Sequence, residues 1–300
     1  MPEYPMDDAL NTAIQYHSSG QLDAANESYK NLLTENPEHP DALHLYGVLN
    51  HQMGKSREGI ELIKKALALQ PNYAEAHSNL GNIFRETGSL EEAVTSYKAA
   101  LSVAPDYAEA LYNLGQTQRA IGNFEESLQS LQRAVELATD FPEGHNEIGA
   151  VLRDLERPDE ALKSLETAIA LRPDFAEAYS NLGSTHADLG DLDSAVINFQ
   201  KAIALRPDLA ETHANLANTF RLLGYFTDAI ESYNRSLAMQ PNDTETLYLL
   251  GNTLLDVGHH REGLQYQREA KGVIEFGKDE TSHYQIVSKV TRKAKDDSKT

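Results

Sequence analysis

The sequence predicts an all-α fold, a solenoid of about eight helix-turn-helix units. Two observations predict it. A 34-residue period runs through nearly the whole chain, and each period holds two amphipathic stripes with helical spacing, with no alternating strand pattern anywhere in the array. The clearest copies begin at Ala74, Ala108, Ala176 and Ala210; less regular ones begin at Met6, Pro40, Pro142 and Thr244. These eight units share one unbroken phase over residues 6–272, leaving 1–5 as an N-terminal extension and 273–300 as a tail. A chain built this way stacks its units rather than closing around one core, and it presents a long surface to other macromolecules.

The unit from Ala74 shows how each element is specified. Ala76, His77, Leu80, Ile83 and Phe84 recur at three and four residues and form one face of the first helix, helix A. Gly88 supplies the left-handed residue that ends it. Ser89 with Glu92 has capping-box spacing for the second helix, helix B, whose buried stripe is Leu90, Ala93, Val94, Tyr97, Ala100 and Leu101. Pro105 closes the unit, because proline is excluded from a helix interior. Asn72–Glu75, Asp106–Glu109, Asp140–Glu143, Asp174–Glu177, Asp208–Glu211 and Asn242–Glu245 repeat the N-cap spacing before each A helix. Capping and the helix dipole account for those glutamates, so they are not a catalytic or metal ladder. Gly47, Gly81, Gly115, Gly149, Gly183 and Gly251 hold the eighth place, and Ala93, Ala161, Ala195 and Ala229 the twentieth. Small residues there let helices A and B approach closely.

Two regions depart from the pattern. At the junction of units four and five, Thr139 replaces the terminal Pro, and Pro142 takes the first helical place. Gly144 stands where Ala is usual, and Glu156-Arg157-Pro158 replaces the Gly turn. A glycine inside a helix costs about 1 kcal/mol relative to Ala, so a change of curvature or a hinge is expected near Thr139–Gly144. In the eighth unit helix B, near Arg261–Lys271, is polar, as a terminal cap needs to be. Beyond it, VIEF reads as a short extended piece, and Ser282–Lys295 has the spacing of one more amphipathic, capping helix through Tyr284, Val287 and Val290.

Composition narrows function. The chain has 300 residues, no Cys and a formal net charge of −20. Disulfide and thiolate chemistry are excluded. An acidic surface repels nucleic acid phosphates and anionic membranes, so neither is an expected partner. The opening MPEYPMDDALN has no basic or apolar run of a signal peptide, and no stretch nears the ~20 apolar residues of a spanning helix. A cytoplasmic protein is expected.

The repeat length, the "NLG" of helix A, the small residue on helix B and the terminal Pro resemble the tetratricopeptide repeat family. That resemblance covers about nine-tenths of the chain. It implies a right-handed superhelix whose A helices line a concave groove that binds peptides or protein segments. The stretch PEHPDALHLYGVLNHQMGK, followed by NYAEAHSNLGN, is similar to repeats of bacterial SPINDLY-like and O-linked N-acetylglucosamine transferase-like proteins, and related repeats precede sulfotransferase domains. In such enzymes a catalytic domain follows the repeats, whereas only Gly272–Thr300 follows them here. The expectation is a non-catalytic scaffold binding an extended peptide, with the recognition part of a glycosyl- or sulfotransferase system as the alternative.

If helix A lines a groove, its polar places carry binding. Asn79, Asn113, Asn181 and Asn215 occupy the sixth place and resemble the asparagine ladder of the transferase repeats. A carboxamide both donates to a carbonyl and accepts from an N–H, so a ladder can grip peptide backbone or pin one repeat to the next. Glu147 interrupts it. Arg85, Arg119, Arg153 and Arg221 occupy the twelfth place, and their forked guanidinium groups suit carboxylate or phosphate partners, or the nearby Glu86, Asp154 and Asp188. The carboxylate clamp of chaperone-binding repeat proteins is not matched: Ser78, Tyr112, Ser180 and Ala214 stand where its lysine would be. His77, His145 and His213 share the fourth place of alternate units and read as structural. No catalytic residue, metal site or cofactor is expected, and self-association through stacking or tail docking is a further outcome of the architecture.

Overall fold

The computed structural model describes residues 4–271, 273–278 and 284–290, and it divides into two compact units, Met1–Glu156 and Arg157–Thr300. The first unit holds nine helices among its described residues: α1 (Tyr4–Ser18), α2 (Leu22–Glu35), α3 (Pro40–Gln52), α4 (Ser56–Leu69), α5 (Ala74–Glu86), α6 (Leu90–Val103), α7 (Ala108–Ala120), α8 (Phe124–Leu137) and α9 (Pro142–Asp154). The second holds α10 (Pro158–Leu171), α11 (Ala176–Asp188), α12 (Leu192–Leu205), α13 (Ala210–Leu222), α14 (Phe226–Met239), α15 (Thr244–Asp256) and α16 (His260–Lys271), then β1 (Val273–Lys278) and β2 (Tyr284–Val290). Odd-numbered helices are the A helices of the sequence repeat, and even-numbered ones the B helices.

Within each unit, helices joined by a glycine turn pack in antiparallel pairs because that turn is fixed. Gly20, Gly54, Gly88 and Gly122 in the first unit, and Gly190, Gly224 and Gly258 in the second, all have φ between 74° and 86°. Glu156 takes the same left-handed conformation, φ 57°, without being glycine. The turn is therefore kept where the sequence suggested it was lost.

In several pairs a glycine at the eighth place lies under the side chain at the twenty-fourth. A Cβ added at Gly81 would meet the Tyr97 ring at 2.7 Å, one at Gly115 would meet Leu131 at 2.6 Å, and one at Gly183 would meet Phe199 at 2.8 Å. Ile63, Tyr97, Leu131, Phe199 and Tyr233 at that place have no exposed surface. Burying an apolar side chain of this size contributes about 1.5–3 kcal/mol. Each core cluster joins neighbouring helices, as Ala93, Tyr97 and Leu114 do with Phe84 in the first unit, and Ala195, Phe199 and Leu216 do with Phe220 in the second. Within each unit the core is thus a set of clusters that join neighbouring helices, as stacked repeats require.

Two sequence expectations are corrected. Capping boxes do not form before the A helices. α5, α7, α9, α11 and α13 start after Tyr73, Tyr107, Phe141, Phe175 and Leu209, none of which makes a side-chain cap, and Ser89 makes none before α6. The polar residues of Asn72 and Asp106 type lie two positions before the helix, too far out to cap it; Asp191 and Asp243 alone among the described residues accept a backbone N–H in this way. The expected helix at Ser282–Lys295 is strand β2 over Tyr284–Val290, antiparallel to β1 from Val273↔Val290 to Lys278↔Tyr284. The β-branched residues Ile286, Val287 and Val290 favour extended backbone, and the register shift between Glu275 and Phe276 leaves Val287 as the extra residue of a bulge. Thr139–Gly144 lies inside the first unit. Gly144 is a close approach there: its Cβ would meet Val135 at 2.6 Å and Phe141 at 2.7 Å. The Phe141 ring stacks edge-on against Tyr112 at 4.8 Å.

Candidate peptide-binding surface on the A helices

Within each unit, neighbouring A helices pack directly on one another: α3 on α5, α5 on α7 and α7 on α9 in the first, α11 on α13 and α13 on α15 in the second. B helices are spaced wider. Between α12 and α14 a cavity of about 300 Å³ opens over α13, lined by Ile203, Ala204, His213, Leu216 and Phe220 with Glu231 and Arg235. The A helices are therefore the closer row in each unit, and their second, fifth, sixth, ninth, twelfth and thirteenth places form its polar face.

The sixth-place asparagines bond to the preceding A helix. Asn79 Nδ2 on α5 donates to His44 Nε2 on α3 at 2.8 Å, Asn113 Nδ2 on α7 to Asn82 Oδ1 on α5 at 3.1 Å, and Asn215 Nδ2 on α13 to Ser184 Oγ on α11 at 3.5 Å. Asn181 is half-buried and has a partner of its own. One amide hydrogen of each of the first three is thus used between repeats. Because Asn79 Nδ2 can only donate, His44 Nε2 must accept, and Nδ1–H then donates to the Tyr73 hydroxyl at 3.0 Å. His44 is 2 % exposed, and burial pulls its pKa from 6.5 down to about 4, so it stays neutral. Burial, then the Asp41 carboxylate, pushes the Tyr73 hydroxyl upward.

The ninth place completes this network, and the sequence reading did not single it out. Asn82 Oδ1 accepts from Tyr97 Oη at 2.7 Å as well as from Asn113, while Gln267 Nε2 donates to Asn252 Oδ1 at 2.6 Å in the second unit. Gln116 Nε2 donates to Tyr112 Oη at 2.9 Å. The signal was present as Asn82, Gln116, Ser184, Asn218 and Asn252, a polar residue at one place in five of the eight units.

The twelfth-place arginines divide. Arg119 is held by two acids of the next A helix, Nε to Asp154 Oδ2 at 2.6 Å and Nη1 to Glu147 Oε1 at 3.2 Å. The residue that interrupts the ladder is thus the counter-ion of an arginine. Arg153 is half-buried and also has a partner. Arg85 Nη1 donates to Gln116 Oε1 at 2.9 Å and Arg221 Nη2 to Asn218 Oδ1 at 3.1 Å, both neutral acceptors. His51 takes the twelfth place of α3. Its Nε2 faces Glu86 Oε2 at 2.8 Å and its Nδ1 faces Ser56 Oγ at 2.9 Å, which ties α3 to α5 and to the start of α4. His77 and His213 each face a loop carbonyl through Nε2, Pro71 at 2.9 Å and Pro207 at 3.0 Å, a repeated structural contact. Burial lowers the pKa of His145. Among the described residues no three His, Asp or Glu converge on a metal-sized site, and no helix is long and apolar enough to cross a membrane.

Models of the tetratricopeptide repeat match residues 16–83, 81–121, 108–141, 142–208 and 174–242, which together run without a gap from 16 to 242. The chain belongs to the tetratricopeptide repeat family. Solved structures agree on the fold. A chain of the APC/C hetero-tetramer Cut9-Hcn1 superposes over 81 % of this chain with a TM-score of 0.66 at 21 % identity; this chain spans only 48 % of that one. A tetratricopeptide repeat protein from Parabacteroides merdae superposes over 83 % of this chain and 98 % of its own, with a TM-score of 0.65 at 18 % identity. YrrB, described as a tetratricopeptide repeat protein with an unusual peptide-binding site, superposes over 63 % of this chain and 98 % of its own, with a TM-score of 0.50 at 25 % identity. No curated protein sequence matches this tetratricopeptide repeat chain significantly. The family scaffold is consistent with protein–protein interaction.

Proposed function

We propose that the chain is a non-catalytic scaffold that binds an extended segment of a partner protein along the A-helix face. The row of carboxamides carries this reading. Asn79, Asn82, Asn113 and Gln116 stand on consecutive turns of two touching helices, and Asn82 keeps its two amide hydrogens clear of any partner among the described residues. A row of amide donors and acceptors suits peptide backbone, because it satisfies N–H and C=O groups without reading side chains. The peptide-binding site named for YrrB, at 25 % identity, supports the same assignment. On this reading residues 6–272 are the binding array, Asn181 and Asn215 belong to the corresponding face of the second unit, Arg119 and Arg153 flank the carboxamides of the first, and 1–5 and 273–300 lie outside the array. The partner is a protein or peptide, and the protein works in the cytoplasm.

The test is capture from native lysate with three baits: the parent chain, a variant with Asn79, Asn113, Asn181 and Asn215 changed to Ala, and Gly88→Ala. The last strains a turn and leaves the face intact, so it controls for lost stability. Partners retained by Gly88→Ala and lost by the asparagine variant are expected. Equal partner sets from the parent and the asparagine variant sink the proposal. A glycosyl- or sulfotransferase among the ladder-dependent partners would favour the alternative, a recognition accessory of such an enzyme.

A further inference from the structure

Arg85 and Arg221 differ from Arg119 in a way that their shared place in the repeat hides. The formal charge of the chain is −20, yet among the described residues neither guanidinium has a carboxylate at ion-pair distance. Each is fixed by neutral groups instead. Arg85 is held by Gln116 Oε1 and lies against Tyr97, a fully buried side chain of α6. That hydroxyl gives its hydrogen to Asn82 Oδ1 and does not accept from Arg85 Nε, which is buried with no acceptor. In the second unit Arg221 is held by Asn218 Oδ1 against the fully buried Tyr233 of α14, and Arg221 Nε and Tyr233 Oη are both buried without an aligned partner. The same arrangement is built twice, each tyrosine twelve residues after its arginine.

A half-buried guanidinium held by one amide oxygen and set against a buried tyrosine has lost part of its hydration and gained no counter-ion, a cost that an incoming anion offsets. The anion it suits carries a single charge. Glu86 and Glu109 lie near enough to Tyr97, and Glu245 near enough to Tyr233, to raise those hydroxyls electrostatically. Such surroundings oppose the near-double charge of a phosphate more than the single charge of a carboxylate. Beside Arg85, the Asn82 amide hydrogens and the Tyr112 hydroxyl hydrogen, which Gln116 does not use, add neutral donors.

We infer that Arg85, in the first unit, and Arg221, in the second, are each a carboxylate seat that takes one Asp or Glu side chain of a bound segment, while Arg119 is a structural tie. The inference rests on the proposed binding face and names what the bound segment must carry on it.

The Nε–Hε resonances of the arginines report it directly. The full chain, labelled with nitrogen-15, is titrated to millimolar concentration with acetyl-Gly-Ser-Asp-Ser-Gly-amide, and in parallel with its Asn and phosphoserine analogues. Saturable shifts of Arg85 and Arg221 with the Asp peptide are expected, with Arg119 still and the Asn peptide nearly silent. Arg85→Lys keeps the charge and loses the fork, so the Asp-dependent shifts of the groups around residue 85 should weaken severalfold while those at Arg221 persist. Absent shifts at both arginines, equal shifts with the Asn peptide, or a stronger response to phosphoserine each overturn the inference. Its failure is separable from that of the proposed function. If the four-asparagine variant keeps the Asp-dependent shifts, the seats stand and the backbone grip falls; if the parent shows no shift but ladder-dependent capture persists, the seats fall and the face stands.

Discussion

At the scale of the residue, glycine carries two different duties in this chain, and one substitution separates them. Gly81→Ala puts a methyl group into the Tyr97 ring at 2.7 Å, which overpacks the pair and should cost about 1–3 kcal/mol. Gly88→Ala meets no atom within 4 Å but must hold φ near 81°, which costs about 1–2 kcal/mol in backbone strain alone. Urea unfolding of both variants would show two losses of similar size, and a larger side chain would worsen only the first. His44 gives a pH signature. Its pKa falls from 6.5 to about 4 on folding, so between those values the unfolded chain binds the extra proton. Stability is unaffected above pH 6.5 and declines as pH drops towards 4, by up to about 3 kcal/mol. His44→Gln, which keeps an acceptor for Asn79, should flatten that decline in thermal melts. Legibility at this scale was uneven. The period exposed Asn79 and Arg85 by their register, but a register says nothing about who holds whom. That Glu147 is Arg119's counter-ion, and that Arg85 has none, depends on side chains 28 and 31 residues apart meeting across helices.

Elements were legible where their signals are short-range. The A and B helices follow from apolar spacing, and the turns follow from glycine at one place in seven of the units. Helix starts were misread because the cap rule looks only for a polar side chain. Here the residue before five of the A helices is Tyr73, Tyr107, Phe141, Phe175 or Leu209, none of which has a side chain that caps the helix end. The second strand was misread because Tyr284, Val287 and Val290 fit a helical spacing, while pairing with β1 decides the outcome. The exceptional element boundary is the turn at Glu156, where an L side chain holds φ 57°. Glu156→Gly should relieve that strain and stabilise the chain by about 1 kcal/mol, a rise of a few degrees in Tm. An unchanged or lower Tm would show that the Glu156 side chain earns its place by some other contact.

The whole molecule is acidic, and within each compact unit the core clusters link only neighbouring helices. Its charge of −20 acts against folding through self-repulsion, and salt screens that repulsion over about 8 Å near 0.15 M. Melting temperature should therefore rise as sodium chloride is added from very low ionic strength; a fall would mean that pairs such as Arg119–Asp154 outweigh the repulsion. The bonds that Asn79, Asn113 and Asn215 make to the preceding A helix also have a mechanical meaning. A ligand that takes one of those amide hydrogens opens a strut between two helices, and one that takes only the spare hydrogen leaves the strut closed. Affinity and elasticity are then two readings of the same bonds: a spring that softens when loaded has a partner gripping its struts, and a spring that keeps its stiffness has a partner resting between them.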